Sequence, residues 1–136
     1  MYSYIQFKKP TERSTQMRDQ IVQILKSKRQ YEAERQLLLT QNDTDISSGR
    51  QDRLSFLNHQ LHHIDVWLVL LSEDESFVIK RHYFDGIDIP RIAVEYKQRW
   101  GEEFGKTERT IKKYQKKALE KIEQFELQTI RASKQC

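Results

Sequence analysis

Leucine and isoleucine residues spaced alternately three and four positions apart constrain the fold of this chain more than any other feature. The members of this leucine stripe are Leu54, Leu57, Leu61, Ile64, Leu68 and Leu71. The spacing places them along one side of an α-helix, as in the seam of a coiled coil. A second, weaker stripe consists of Ile21, Leu25, Lys28, Tyr31, Arg35 and Leu38. The two patterns predict long helices over about 12 to 40 and 50 to 71, joined by a polar loop.

The two helices predicted within residues 1–71 can be arranged in two ways. They form either an antiparallel hairpin within one chain, or a homo-dimer or other homo-oligomer through the leucine stripe. A lone hairpin of two helices leaves apolar surface in water, which argues for self-association. The sequence leaves both arrangements open.

The sequence of residues 72–136 predicts a second domain built from three shorter helices. These helices cover roughly 73 to 84, 88 to 100 and 107 to 127. Ser72 and Glu75 match the capping box that starts a helix, and Asp88 can cap the next helix with Pro90 in its first turn. The breaks contain Gly86, Gly101 and Gly105. The pattern is that of a helix-turn-helix with a supporting helix ahead of it, so the whole chain is predicted to be all-α.

The last of these helices combines an apolar side with a basic one. Its apolar side is predicted to hold Ile111, Tyr114, Ala118, Ile122 and Phe125. The opposite side holds Arg109, Lys112, Lys113 and Lys116. Residues 106–121 alone carry a net charge of +5, whereas residues 1–79 carry −1. A local positive excess is typical of a surface that binds a polyanion, although an ordinary solvated helix face can also be rich in lysine.

The C-terminal half resembles the fourth conserved region of bacterial sigma factors, which is their DNA-binding region. Residues 81–86, Asp88 and residues 92–93 are similar to that region's arginine–tyrosine-like pair, glycine, cap and Ile-Ala sequence. Thr107, Ile111 and residues 118–122 resemble its recognition helix. The resemblance covers about residues 68 to 125.

The resemblance implies which side chains meet DNA. The positions that would read the major groove are Glu108, Arg109, Lys112, Lys113 and Lys116. Lys117 is expected to anchor the phosphate backbone. Arg91 completes the predicted DNA-binding set; it replaces the acidic residue that the family usually has before Ile-Ala. About eight extra residues precede Thr107, and this insertion is expected either to extend the helix before it or to form a packed aromatic corner around Trp100.

The order of a helical N-terminal part and a sigma-like C-terminal part is similar to small phage late-gene transcriptional regulators of the ArpU and RinA type. The resemblance implies a sequence-specific DNA-binding transcriptional regulator, encoded by a phage or prophage, with double-stranded DNA as its partner; whether it also contacts RNA polymerase is left open by the sequence. A phage DNA-packaging adaptor, such as a terminase small subunit, is the alternative, because it also joins a helix-turn-helix to an oligomerising helical region.

Signals for enzymatic chemistry are weak in this sequence. His59 and His63 are four residues apart, a spacing at which two histidines on one helix face can bind a metal. No glutamate follows His59 and no cysteine pair accompanies them, so neither a metal site nor a cofactor is predicted. Gly-rich phosphate loops and Gly-x-Ser-x-Gly turns are absent. The chain has a single cysteine, Cys136, no run of eighteen apolar residues, and no apolar segment typical of a signal peptide near Met1. These features predict a cytoplasmic protein, and the weak chemical signals predict that it is not an enzyme.

Overall fold

The computed structural model describes residues 10–41, 48–101 and 108–135, and all regular structure in these ranges is helical. The elements are α1 (Pro10–Lys26), α2 (Lys28–Thr40), α3 (Ser48–Val69), α4 (Glu73–Ile79), a π-helical turn (Lys80–Phe84), α5 (Ile89–Trp100) and α6 (Glu108–Gln135). The prediction of an all-α protein is therefore confirmed. Predicted features at Gly105 and Thr107, and in the polar loop 42–47, lie outside the described residues.

A break at Ser27 divides the first predicted helix, so the expectation of one continuous helix over 12 to 40 was wrong. The Ser27 hydroxyl donates to the carbonyl oxygen of Gln23 at 2.8 Å, and its backbone N–H is shared between the carbonyls of Gln23 and Ile24, each 3.1 Å away. Serine hydroxyls that bond back to the preceding turn bend helices. The second apolar stripe is consequently split: Ile21 and Leu25 join the main core, whereas the stripe residues of α2 lie against α3.

The helices α2 and α3 pack against each other in antiparallel directions. The Arg53 guanidinium donates to the Glu34 carboxylate at 2.9 Å, and the Tyr31 and Phe56 rings meet edge to face with centroids 6.0 Å apart. The middle of the leucine stripe is buried within the chain, at Leu57, Leu61 and Ile64. The middle of the stripe through which self-association was predicted is therefore covered by helices of the same chain.

The main core joins the two ends of the chain. Its buried residues are Met17, Ile21 and Leu25 from α1, Ile64 and Trp67 from α3, Ile79 and Tyr83 around the π turn, and Ala118, Leu119 and Ile122 from α6. Residues on both sides of position 71 therefore pack together in this core.

A second core lies between α4, α5 and the first turns of α6. Its buried residues are Val78, Ile89, Ile92, Ala93, Tyr96 and Ile111. The predicted caps that start two of these helices are confirmed. Ser72 and Glu75 make both bonds of a capping box, and the Asp88 side chain accepts from the backbone N–H of Arg91 at 3.3 Å. The second core thus fixes the beginning of α6 against α4 and α5.

The π turn and the length of α6 differ from the prediction. The backbone N–H of Asp85 donates to the carbonyl of Lys80, five residues earlier, at 3.1 Å, which is the bond of a π turn. The helix α6 continues to Gln135, beyond the expected end near residue 127, because the sequence after Gly105 contains neither glycine nor proline to stop it.

Within the described ranges, no helix combines the length and the apolar character needed to cross a membrane.

Candidate nucleic-acid interface

The two sides of α6 are separated as the sequence predicted. Ile111, Ala118 and Ile122 are fully buried, and Tyr114 and Phe125 are partly buried against the two cores. Packing on this side leaves the opposite side of the first three turns in solvent. The apolar side of the predicted recognition helix is therefore confirmed as the side that holds the helix in place.

Six of the seven predicted DNA-binding residues lie on the exposed side of α6. They are Glu108, Arg109, Lys112, Lys113, Lys116 and Lys117. We call the five cations among them the basic face. Eight residues separate Arg109 from Lys117, so these cations spread over about 12 Å of helix.

The cations of the basic face differ in their ion pairing from most arginines in the described part of the chain. In the part of the chain that the structure describes, none of the five has an ion-pair partner. Elsewhere, cations pair across long sequence distances, as Arg18 does with Glu123 and Arg53 with Glu34. Three pairs of the basic face are four residues apart, and like charges at that spacing disfavour a helix by a few tenths of a kcal/mol each. A negatively charged partner would relieve this repulsion.

The seventh predicted residue, Arg91, stands on a different element. It lies exposed in the first turn of α5, 3.8 Å from the Glu95 carboxylate. That carboxylate already accepts two hydrogen bonds from Arg81, at 2.8 Å and 2.6 Å. Arg81 also donates to Asp85 at 2.6 Å, and these bonds to Glu95 and Asp85 raise the pKa of the guanidinium. Arg91 therefore sits at the edge of an existing ion-pair network rather than on the basic face.

Lys121 is also exposed on α6 but is not part of the basic face. Its ammonium group donates to the Glu75 carboxylate at 2.6 Å, and the same carboxylate oxygen accepts from the Ser72 backbone N–H at 2.9 Å. Burial raises the pKa of Glu75, but the hydrogen bonds from Lys121 and Ser72 outweigh it and hold the pKa below its usual value. Sequence reasoning missed this pair, because 46 residues separate the partners and no local pattern connects them.

An aromatic cluster fixes the C-terminal end of α5 beside α6. The Tyr96 ring stacks on Trp100 with centroids 4.2 Å apart and faces Tyr114 of α6 at 6.3 Å. Trp100 also meets Phe77 of α4 edge to face at 5.1 Å. The insertion before Thr107 was expected either to extend the preceding helix or to form an aromatic corner around Trp100. In its described part, α5 ends at Trp100 and this residue packs in an aromatic corner. Gly101 ends the helix with φ of +88°, a conformation that a side chain would strain.

Carboxylates farther along α6 hold the N-terminal helices. Glu123 pairs with Arg18 of α1, and one oxygen of Glu126 accepts from the Trp67 indole at 2.7 Å and lies 2.9 Å from Nε2 of His63. Burial raises the pKa of Glu126, but these contacts with His63 and Trp67 outweigh it and lower the pKa. Glu123 and Glu126 thus hold α6 against the N-terminal helices, whereas the cations of the basic face point to solvent.

The histidines predicted from sequence to be poor metal ligands lie on α3. The His59 and His63 rings meet edge to face with centroids 5.4 Å apart, and His63 is engaged with Glu126. Within the described ranges, no group of three or more side chains is arranged to hold a metal ion.

Comparison of the chain with protein-family models, with curated proteins and with solved structures gave no match.

Proposed function

We propose that this protein is a sequence-specific DNA-binding protein that regulates transcription, and that it reads the major groove with the first three turns of α6. The observation that carries the proposal is the basic face. Its five cations point to solvent without ion-pair partners among the described residues, on a helix whose other side is locked into two cores.

The packing of α4, α5 and α6 supports a helix-turn-helix arrangement. Ile92 and Ala93 of α5 share a core with Ile111 of α6, and Val78 of the preceding helix supports both. An α-helix held in this way can enter the major groove with its N-terminal residues against the base edges. Glu108 and Arg109 are at that end of α6, so they are the side chains best placed to read sequence.

The division of roles along α6 follows from the chemistry of the side chains. Arginine can bond a guanine edge through two donors, whereas lysine is a mobile point charge that suits phosphate. We assign sequence reading mainly to Arg109 and Glu108 and backbone anchoring mainly to Lys116 and Lys117. Lys112 and Lys113 stand between these groups.

Fluorescence anisotropy with labelled duplex DNA tests the proposal. If four to six phosphates are neutralised, the logarithm of the binding constant should fall with the logarithm of salt concentration with a slope of roughly −4 to −5. The double variant Lys112→Ala/Lys116→Ala should reduce this slope by about 2.

The matched control is Lys26→Ala/Lys80→Ala, which removes the same charge from exposed lysines on α1 and the π turn. This control should bind DNA like the wild type. Binding that does not depend on salt, or equal losses in the two double variants, would contradict the proposal.

A further inference from the structure

The first turn of α6 places an acidic residue at the end of a surface that is otherwise cationic. Glu108 and Arg109 are both exposed, and Glu108 is the one carboxylate among the six exposed residues of α6 that were predicted to bind DNA. Lys112 follows Glu108 by four residues, a spacing at which glutamate and lysine can pair on a helix. In the described part of the chain, however, neither Glu108 nor Arg109 has an ion-pair partner. Both side chains are therefore available to a ligand.

A carboxylate at this position is unfavourable for a protein that binds DNA through charge alone. Each cation of the basic face can neutralise a phosphate, whereas the carboxylate of Glu108 is repelled by phosphate. Any favourable contact of Glu108 with DNA must therefore be made to a hydrogen-bond donor. In the major groove these donors are the exocyclic amino groups of cytosine and adenine.

We propose that Glu108 selects a cytosine, and Arg109 a guanine, in the DNA sequence that α6 reads. This inference rests on the proposed function and extends it from duplex DNA to particular base pairs. A glutamate carboxylate accepts from the N4 amino group of cytosine, which presents no acceptor in the major groove. Adenine presents the acceptor N7 beside its amino group, and this acceptor repels a carboxylate. Cytosine is therefore the base that suits Glu108 best.

The packing of the first turn of α6 makes such reading precise. Ile111 is fully buried in the second core, so the backbone that carries Glu108 and Arg109 is fixed against α4 and α5. The guanidinium of Arg109 can donate to O6 and N7 of one guanine at the same time. Consecutive residues point about 100° apart on a helix, so we expect the two side chains to contact different base pairs. The selected site should therefore contain G·C pairs where it meets this turn.

The variant Glu108→Gln tests this assignment through a change of preference. Glutamine can donate to N7 of adenine and accept from its amino group, so the variant should prefer adenine at the base pair where the wild type prefers cytosine. The substitution keeps the length of the side chain and removes a negative charge, so binding to unrelated duplexes should become stronger rather than weaker. At all other base pairs the variant should have the preference of the wild type.

The measurement begins with selection of bound sequences from a pool of random duplexes by the wild-type chain. Fluorescence anisotropy then compares duplexes that carry each of the four base pairs at every position of the selected site. At the position read by Glu108, the wild type should bind cytosine about tenfold more tightly than adenine, and Glu108→Gln should reverse this order. Glu120→Gln is the matched control, because it removes the same charge from an exposed carboxylate about three turns farther along α6. It should leave the preference at every base pair unchanged.

The outcomes separate this inference from the proposed function. A wild type that binds no duplex, or binds all duplexes alike, overturns both. A wild type that selects a sequence, with Glu108→Gln preferring the same base as the wild type at every position, overturns the inference alone. Equal changes of preference in Glu108→Gln and Glu120→Gln also overturn it. Circular dichroism of the same samples shows whether each variant is folded.

Discussion

Lys121 and Glu75 connect the middle of α6 to the first turn of α4 through a 2.6 Å contact between the ammonium group and a buried carboxylate. The carboxylate also completes the capping box with Ser72. One side chain thus starts α4 and fastens it to the helix that carries the basic face.

Replacing Glu75 with glutamine should lower the free energy of unfolding by about 1 to 2 kcal/mol, because glutamine can still cap the helix but loses the charge that pairs with Lys121. The lower part of this range is expected, since Lys121 is half exposed and water screens the pair. Urea unfolding at neutral pH measures the change. Glu73→Gln, at an exposed carboxylate in the same turn, is the control, and an equal loss there would contradict the assignment.

Acid should destabilise the protein partly through Glu126. Its pKa in the folded state is lowered, so its contribution to stability is present above the unfolded value of about 4.3 and disappears as the pH falls through the lower folded value. We expect the free energy of unfolding to decrease from about pH 5 downwards. In Glu126→Gln this part of the decrease should be absent. An unchanged pH dependence in the variant would show that Glu126 is not responsible.

Leu61→Asp should unfold the chain rather than merely dissociate a dimer. Leu61 is 6% exposed within a single chain, so aspartate there would place a charge in an apolar seam without a partner. The expected cost is about 3 to 5 kcal/mol. Thermal unfolding followed by circular dichroism measures it. A variant that is folded and monomeric would mean that Leu61 contributes to an interface between chains.

Arg109→Ala and Lys117→Ala should affect DNA binding in different ways. Loss of Arg109 should reduce the preference for a selected binding site over mismatched duplexes, at a cost of about 1 to 3 kcal/mol on the selected site. Loss of Lys117 should weaken binding to all duplexes alike. Competition binding with matched and mismatched sites distinguishes the two effects. Identical behaviour of the two variants would contradict the separate reading and anchoring roles.

Local patterns in the sequence were sufficient to identify most helices and their starts. The capping box at Ser72, the cap at Asp88 and the buried side of α6 at Ile111 and Ala118 all depend on residues within a few positions of one another. Such features are set by backbone hydrogen bonds and helical periodicity, both of which can be read from short segments.

Features that depend on tertiary contacts were not predicted. The Ser27 break was not recognised, because a serine within a helix can also point its hydroxyl to solvent, and only the structure shows that Ser27 bonds back to Gln23. The pairing of Arg18 with Glu123 joins residues 105 positions apart. The burial of the leucine stripe within one chain also required knowledge of which side of α3 is covered by α2.

The π turn at Lys80–Phe84 changes the direction in which the following side chains point. One residue more than in an α turn rotates everything after it by about 100° relative to an uninterrupted helix. Two side chains within the turn itself contact different helices: Arg81 donates to Glu95 of α5, and the Tyr83 hydroxyl accepts from Gln115 of α6 at 2.6 Å. Deleting a single residue here would preserve at most one of these contacts. The number of residues in this turn therefore sets which neighbouring helix each of its side chains contacts.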